Sequence, residues 1–275
     1  MSRFRHHWPL VTYDPAMPTY ERHEHHTISW VDLAAKDLEG ALEFYRGLMD
    51  WTAFNDGETP YHIFQRDGAA VAGVMELSPE MGDMPPIWSI YVSVANADET
   101  ITAAEAAGGS VYQPPFDIPD GGRIAVIGDP AGAAICLFEG MDENGMAMID
   151  EPGAPCWFDC MSRDVDAAKD FYAAVFGWQA QAMPGDFPYT VFLRDGLPLA
   201  GTMPMPEQLP AEVPSHWVVN FSVDDTDAAV EYLVTNGGSV LMPPTDTMFG
   251  RSASVMDPWG STFNMIDRSK AETPG

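Results

Sequence analysis

The sequence predicts an α+β fold built from four βαβββ units, and three observations lead to this prediction. The chain repeats itself at a fixed spacing, each copy of the repeat divides into two similar quarters, and each quarter runs from a strand to a helix to several short strands. The chain of 275 residues has the length of two ordinary domains. We therefore expect two domains, each of which is itself a duplication.

The repeat consists of aromatic, acidic and turn residues that return at an offset of 127 residues, which lengthens to 128 after one inserted residue. The pairs include Trp30 and Trp157, Asp32 and Asp159, Tyr45 and Tyr172, Gly73 and Gly201, and Asp129 and Asp257. A stretch rich in acidic residues, Gly and Pro separates the two copies and is typical of a linker. The predicted organisation is a leader 1–25, a first domain 26–140, a linker 141–152, a second domain 153–269 and a tail 270–275.

The first quarter opens with a β-rich run at 27–33. Residues 38–49 then place apolar side chains on one face of a helix. Two short strands at 61–64 and 70–77 are separated by Arg66-Asp67-Gly68, whose residue types favour a tight turn. This order of elements is one βαβββ unit.

The second quarter repeats that order. A strand at 87–94 precedes a helix at 97–107, which two glycines end. Strands at 124–127 and 133–138 flank the turn Asp129-Pro130-Ala131-Gly132. Because the second half echoes both quarters, the whole chain contains four such units.

Composition excludes several classes of protein. The 13 Lys and Arg against 41 Asp and Glu give a net charge of −28, which repels a nucleic-acid backbone. A hydrophobic content of 46% is too high for a disordered chain. The three cysteines Cys136, Cys156 and Cys160 are too few for a disulfide framework.

No stretch approaches the roughly 18 uncharged apolar residues of a membrane helix, and the first residues lack the apolar run of a signal peptide. We therefore expect a cytoplasmic protein that binds a small molecule and neither nucleic acid nor membrane. It is expected to be a monomer or a homodimer.

Two motifs resemble those of a known family. The helix segment Asp37-Leu38-Glu39-Gly40-Ala41-Leu42-Glu43-Phe44-Tyr45 is echoed at 164–172, and each half ends in an Asp-Pro-x-Gly turn. Together they are similar to the vicinal oxygen chelate superfamily of glyoxalases, bleomycin-resistance proteins and extradiol dioxygenases. The resemblance covers about nine tenths of the chain and implies that paired units form two incomplete barrels, each around a cavity. It does not specify a reaction.

Metal enzymes of that family place a His or Glu on the opening strand of each unit and a Glu on the closing strand. Alignment on the resemblance puts these positions here at Trp30, Ser89 and Cys136 in the first half and at Trp157, Val218 and Asn264 in the second. A tight divalent site needs three or four suitable ligands. We therefore expect no cofactor, with a divalent metal left open as an alternative.

Since side chains alternate along a strand, the residues two positions from Trp30 and Trp157 also face inward. These are Asp32 and Asp159. A carboxylate beside an indole is a candidate general base or ligand anchor, and the alternative is a structural carboxylate that accepts backbone hydrogen bonds.

In the second half His216, Val218 and Asn220 share one strand face, and Asn264 is expected opposite them. We predict Asp159, His216 and Asn264 as catalytic residues, because they combine a base with amides that can hold an oxyanion. The remaining predicted substrate-binding residues are Trp30, Asp32, Ser89, Tyr91, Arg123, Cys136, Trp157, Val218, Asn220 and Arg251. Each arginine is predicted either to hold a substrate carboxylate or carbonyl group or to pair with one of the many acids.

Three functions fit these features. The first is acid/base chemistry of a lyase or isomerase type, without a metal, on a small oxygenated or aromatic metabolite. The second is non-catalytic binding of a drug or metabolite, as in the bleomycin-resistance proteins. The third is a metal-dependent lyase of the glyoxalase type that acts on methylglyoxal.

Overall fold

The computed structural model describes residues 24–81, 84–118, 122–140, 145–185, 187–206 and 209–271. The strands of the first half are β1 (Ile28–Ala35), β2 (Thr52–Phe54), β3 (His62–Arg66), β4 (Ala69–Glu76), β5 (Ile87–Ser93), β6 (Ser110–Asp117), β7 (Gly122–Gly128) and β8 (Ala134–Gly140). Its helices are α1 (Leu38–Met49) and α2 (Ala97–Ala106).

The second half repeats this order. Its strands are β9 (Pro155–Ser162), β10 (Gln179–Ala182), β11 (Thr190–Arg194), β12 (Leu197–Pro204), β13 (His216–Ser222), β14 (Ser239–Thr247), β15 (Gly250–Met256) and β16 (Thr262–Asp267). Its helices are α3 (Val165–Phe176) and α4 (Thr226–Thr235). No helix of the described part of the chain is long and apolar enough to span a membrane.

Each half forms one mixed sheet of eight strands from two βαβββ units, which confirms the predicted α+β architecture. The order is β2-β3-β4-β1-β5-β8-β7-β6 in the first half and β10-β11-β12-β9-β13-β16-β15-β14 in the second. Among the described strands the two edges of each sheet do not pair, so neither sheet closes into a complete barrel. The opening strands of paired units, β1 with β5 and β9 with β13, lie antiparallel at the centre.

Short polar side chains start the helices where the repeat predicts them. Asp37 and Asp164 accept hydrogen bonds from backbone amides three residues later, at 3.1 and 3.0 Å. Asn96 and Asp225 do the same at α2 and α4, both at 3.0 Å. Each bond satisfies an amide that the first helical turn leaves without a partner, which is worth about 1 kcal/mol.

The edge strands β6 and β14 each contain a Pro-Pro pair, at 114–115 and 243–244. Proline cannot donate to a strand ladder, so it is tolerated at an edge and disrupts the pairing there. The register of both strands with their neighbours shifts around these pairs.

The two halves share one hydrophobic core on the helix-bearing faces of their sheets. Trp88 of β5 packs edge-on against Phe221 of β13, with ring centroids 5.0 Å apart. Tyr45 of α1 contacts Phe263 of β16 at 5.8 Å. The described part of the predicted linker also joins this packing, since the Met146 side chain is buried and its amide donates to Ser29 O at 2.9 Å.

Two buried hydrogen bonds cross between the halves and mirror each other. The Tyr45 hydroxyl donates to Asp257 Oδ2 at 3.1 Å, and the Tyr172 hydroxyl donates to Asp129 Oδ2 at 3.3 Å. Each aspartate belongs to an Asp-Pro-x-Gly turn, where its other oxygen accepts backbone amides of that turn. The repeated Tyr and Asp therefore tie each half to the turn of the other.

We expect Tyr45→Phe to lower the free energy of unfolding by about 1–3 kcal/mol, because it removes the partner of two buried groups. The hydroxyl donates to Asp257 and accepts from Trp88 Nε1 at 3.2 Å. Urea denaturation followed by tryptophan fluorescence measures the change. Tyr112→Phe is the control, since its hydroxyl is exposed and bonds Gly132 O at 3.3 Å. Equal stability losses in the two variants would contradict the prediction.

Candidate functional site

Strand register places a polar cluster on the face of each sheet that points away from the shared core. In the second half Asp159 lies opposite Val218, Trp157 opposite Asn220, and Asn220 opposite Asn264. Three adjacent central strands therefore carry these side chains on one face.

The centre of the second cluster is the carboxylate of Asp159. The Tyr189 hydroxyl donates to Asp159 Oδ1 at 2.5 Å, and Asn220 Nδ2 donates to Asp159 Oδ2 at 2.9 Å. Trp157 Nε1 in turn donates to the Tyr189 hydroxyl at 2.6 Å. Asp159 keeps 7% of its surface exposed, so the cluster lies just beneath the surface of this face of the sheet, which we call the cavity face after the expected cavity.

Two further side chains extend the cluster across the sheet. Asn264 Nδ2 donates to Asn220 Oδ1 at 3.0 Å, and Ser254 Oγ donates to Asn264 Oδ1 at 2.6 Å. Of the three predicted catalytic residues, the structure therefore joins Asp159 and Asn264 through Asn220.

The first half contains a related cluster around Asp32. Tyr91 donates to Asp32 Oδ2 at 2.9 Å, and Tyr61 lies 3.4 Å from the same oxygen. Trp30 Nε1 donates to the Tyr61 hydroxyl at 2.6 Å. Ser89 lies opposite Asp32 and Cys136 lies opposite Tyr91. The lining of this half contains a phenol, Tyr91, and a thiol, Cys136, where the second half has the amides of Asn220 and Asn264.

Tyr61 and Tyr189 are central to the clusters, but neither was predicted from the sequence. They follow Pro60 and Pro188, so the dipeptide Pro-Tyr recurs at the offset of the repeat. This recurrence is the signal that would have identified them. They enter the clusters from the loops that precede β3 and β11, which a strand-by-strand alignment does not place.

The repeated glycines Gly73 and Gly201 make room for these tyrosines. A Cβ atom on Gly201 would overlap the Tyr189 hydroxyl and would lie 2.8 Å from Asp159 Oδ1. A Cβ atom on Gly73 would overlap the Tyr61 hydroxyl in the same way. Both glycines have ordinary strand conformations, so the close approach of a side chain explains their presence.

Burial changes the acidity of both central carboxyl groups. Desolvation raises the pKa of Asp32 to about 6, against the lowering effect of its hydrogen bonds from Tyr91, Tyr61 and Ser89. Desolvation also raises the pKa of Asp159, opposed by hydrogen bonds from Tyr189 and Asn220. Burial raises the pKa of the Cys136 thiol, which is therefore protonated rather than nucleophilic at neutral pH.

His216 does not join the cluster that it was predicted to serve. It begins β13 on the same face as Val218, and its Nδ1 bonds Pro214 O at 2.9 Å. Among the hydrogen bonds of the described residues, none links His216 to Asp159 or Asn264. At the start of its strand, His216 contacts the loop that precedes it. The cluster lies two to four residues further along the strand.

The predicted substrate contacts of Arg123 and Arg251 do not agree with the structure. Arg123 shares a sheet face with Ala125 and Arg251 shares one with Ala253, and both alanines are buried in the core. These are the helix-bearing faces. Arg123 bonds Asp98 of α2 at 2.7 Å, and Arg251 bonds Asp227 of α4 at 2.5 and 2.9 Å. The arginines therefore tie helices to strands, as the alternative interpretation proposed.

The donor set does not fit the divalent metal of the family's metal enzymes. The positions derived from the resemblance carry two indoles, a serine, a valine, a thiol and an amide. Across the described part of the chain no group of three or more His, Cys, Asp or Glu side chains is arranged to hold a metal ion. Divalent ions in proteins rely on several such ligands.

Comparisons with known proteins agree with this architecture. The model of the Glyoxalase/Bleomycin resistance protein/Dioxygenase superfamily matches residues 27–137 and 157–265. A Mycobacterium bovis protein named "Putative glyoxylase CFP32" is 34% identical over 261 residues, covering 91% of this chain and 98% of the relative. The anthracycline biosynthesis protein DnrV of Streptomyces peucetius is 35% identical over 256 residues, covering 87% and 92%.

Solved structures with low identity share the fold. The Mn(II)-bound glyoxalase of Novosphingobium aromaticivorans superposes with a TM-score of 0.57 at 18% identity, covering 90% of this chain and 86% of that one. The 2,3-dioxygenase LapB of Pseudomonas sp. KL28 gives 0.60 at 13% identity, covering 90% and 93%. From the family match in both halves, the chain belongs to the Glyoxalase/Bleomycin resistance protein/Dioxygenase superfamily.

Proposed function

We propose that the protein binds a small oxygenated or aromatic metabolite on the cavity face of its second sheet and transforms it by acid/base chemistry, without the usual divalent metal. The observation that carries this proposal is the environment of Asp159. Its carboxylate is almost buried and bonded to a phenol and an amide, and no Lys or Arg pairs with it among the described residues. Desolvation raises the pKa of such a carboxylate, which makes it a stronger base than an exposed aspartate.

The reaction class that suits this cluster is proton transfer at a carbon next to a carbonyl group. Ionised Asp159 takes the proton, the electrons of the broken C–H bond form a C=C bond, and the carbonyl oxygen gains the negative charge. An amide such as that of Asn264 can donate to this oxygen, since it carries two N–H groups and only one is needed for Asn220. Return of the proton to a different atom completes an isomerisation.

Tyr189, rather than His216, is the side chain that contacts Asp159 beside Asn220. Its hydroxyl contacts Asp159 at 2.5 Å and accepts from Trp157, so it holds the carboxylate in one orientation. Burial and Asp159 raise the pKa of Tyr189, which therefore acts as a neutral hydrogen-bond donor.

The names of the relatives support a metabolite of this class. Two of them are named for glyoxylase activity and anthracycline biosynthesis, and anthracyclines are oxygenated aromatic compounds. For this chain, the names support an oxygen-bearing ligand in the cavity without choosing a reaction.

Binding without a chemical change is the second candidate function. Both central carboxylates already have partners within the protein, as a structural carboxylate would. Under this alternative the aromatic side chains of the cavity face hold a ligand, and Asp159 only fixes the positions of its hydrogen-bond partners.

We expect Asp159→Asn to lower turnover at least about 100-fold, because the amide cannot accept a proton, while ligand affinity changes little. A mass-spectrometric screen of carbonyl- and phenol-bearing metabolites identifies a substrate, and kcat and Kd are then measured separately. His216→Ala is expected to leave kcat within about threefold. Asp32→Asn is the matched control in the first half.

Unchanged turnover in Asp159→Asn would disprove the assigned base. Binding without any turnover in the wild-type protein would support the second candidate. The assays are repeated after EDTA treatment with metal content determined, and activity that EDTA abolishes and Mn²⁺ restores would overturn the metal-free proposal.

Gly201→Ala is expected to reduce kcat/KM at least about tenfold, because the new methyl group displaces the hydroxyl of Tyr189 from Asp159. Gly73→Ala makes the same change beside Tyr61 in the first half and is the matched control. Steady-state kinetics of both variants test this. An equal loss in the two variants would contradict the assignment of the activity to the second half.

The raised pKa of Asp32 predicts a pH-dependent stability difference. The folded protein holds this proton up to about pH 6, whereas the unfolded chain loses it near the ordinary aspartate pKa of 3.8. Wild-type stability therefore falls relative to Asp32→Asn as the pH rises through this window, by about 3 kcal/mol in total. Urea denaturation at pH 4 to 7 measures the difference between the two proteins.

The control is Asp227→Asn. In the wild-type protein, Arg251 holds the pKa of the Asp227 carboxyl group below its usual range. Asp227 is ionised in both the folded and the unfolded protein above about pH 5. The difference in unfolding free energy between Asp227→Asn and wild type should therefore not change with pH near neutrality. A flat difference for Asp32→Asn across the whole range would contradict the prediction.

A further inference from the structure

Two exposed aromatic rings lie beside Tyr189 in the second half, and an exposed methionine is the chain neighbour of one of them. Phe187 is 60% exposed, Met248 50% and Phe249 45%. Phe187 precedes β11, and the other two form the turn between β14 and β15. We call these three residues the aromatic rim.

Tyr189 joins the aromatic rim to the polar cluster. Its ring lies 6.5 Å from that of Phe187, nearly parallel, and 5.9 Å from that of Phe249. Its hydroxyl contacts Asp159. An apolar surface of three rings therefore leads directly to a carboxylate and two amides.

The position of Phe249 also shows how the second sheet curves. β11 is next to one edge of the sheet, whereas the β14–β15 turn belongs to the opposite edge. The contact between Tyr189 and Phe249 brings the two ends of the sheet together across the cavity face. The aromatic rim therefore stands over the face that carries the cluster.

The first half keeps the central Asp and Tyr without this rim. At the offset of the repeat, Phe187 corresponds to Thr59, Met248 to Asp120 and Phe249 to Gly121. The aromatic side chains are therefore not part of the sequence repeat that the two halves share, so the common fold does not depend on them. Large apolar groups exposed without a structural need are typical of a binding surface.

We propose that the second site is specific for a flat, uncharged, fused-ring aromatic metabolite whose rings lie on the aromatic rim and whose carbonyl or phenol oxygen reaches the cluster around Asp159. The two extended rings of the rim suit ring stacking, and the buried polar end suits a single oxygen substituent. The net charge of −28 disfavours an anionic ligand. The inference rests on the proposed function only for the location of the site, since it concerns binding.

A second copy of the chain is the competing occupant of the rim. The continuity of the rim with nearly buried hydrogen-bonding groups favours a small ligand, because a flat protein surface would leave Asp159 and Asn220 without a new partner. The experiment separates the two occupants.

The test is a series of probes with the same adjacent carbonyl and phenol groups and an increasing number of rings: 2-hydroxyacetophenone, 1-hydroxy-2-acetonaphthone and 1-hydroxyanthraquinone. Isothermal titration calorimetry of the full-length protein gives each Kd. We expect affinity to increase at least about tenfold from one ring to three, since each aromatic contact contributes a factor of about 2–10.

The double variant Phe187→Ala/Phe249→Ala is expected to abolish this ring-size preference, so that the three probes bind with Kd values within about threefold of one another. Phe54→Ala, which removes an exposed aromatic ring of the first half, is the matched control and should leave the whole series unchanged. Equal affinity across the series, or a preference that survives the double variant, would overturn the inference.

Size-exclusion chromatography of the same proteins decides between the two occupants. A wild-type dimer that the double variant converts into a monomer would assign the aromatic rim to a second copy and overturn the inference. Asp159→Asn separates this inference from the proposed function. Ring-size preference that persists while turnover is lost supports both, and preference without any turnover in wild type supports the inference alone.

Discussion

The antiparallel pairing of β1 with β5, and of β9 with β13, is the constraint on which the rest of the molecule depends. Both faces of β1 are buried. One face contributes Val31 and Leu33 to the shared core, and the opposite face presents Asp32 to the cavity side. Since side chains alternate with a period of two, a slip by one residue would place the carboxylates in the core and the core residues in the cavity. The register therefore fixes core and candidate site together.

The repeat and the local patterns predicted the fold well. The apolar spacing placed the first helix at 38–49, which are the bounds of α1, and the second helix within one residue of its observed end. Alternation along β1 put Trp30 and Asp32 on one face, and both contact Tyr61. These features are local, since a helix period, a capping aspartate or a strand alternation depends on residues that are near in sequence.

The parts of the candidate site that sequence reasoning missed depend on contacts between distant residues. Tyr189 reaches Asp159 from a loop 30 residues away, and only the fit against Gly201 reveals why it can do so. Arg123 was predicted either to contact substrate or to pair with an acid, and its spacing from Ala125, a core residue, puts it on the helix side. The alternation of side chains along the strand would have decided between these two interpretations. The tyrosines, in contrast, can be predicted only if the paired glycines are interpreted as leaving space for a side chain.

The duplication explains why the two sites can differ while the fold remains the same. The reciprocal bonds of Tyr45 to Asp257 and of Tyr172 to Asp129 lie in the shared core, so each half stabilises the other through residues remote from the cavities. Substitutions on the cavity faces leave those bonds untouched, and effects of well-separated sites on stability are nearly additive. One half can therefore carry a phenol and a thiol where the other has two amides, and the other can carry the aromatic rim, without loss of the common architecture.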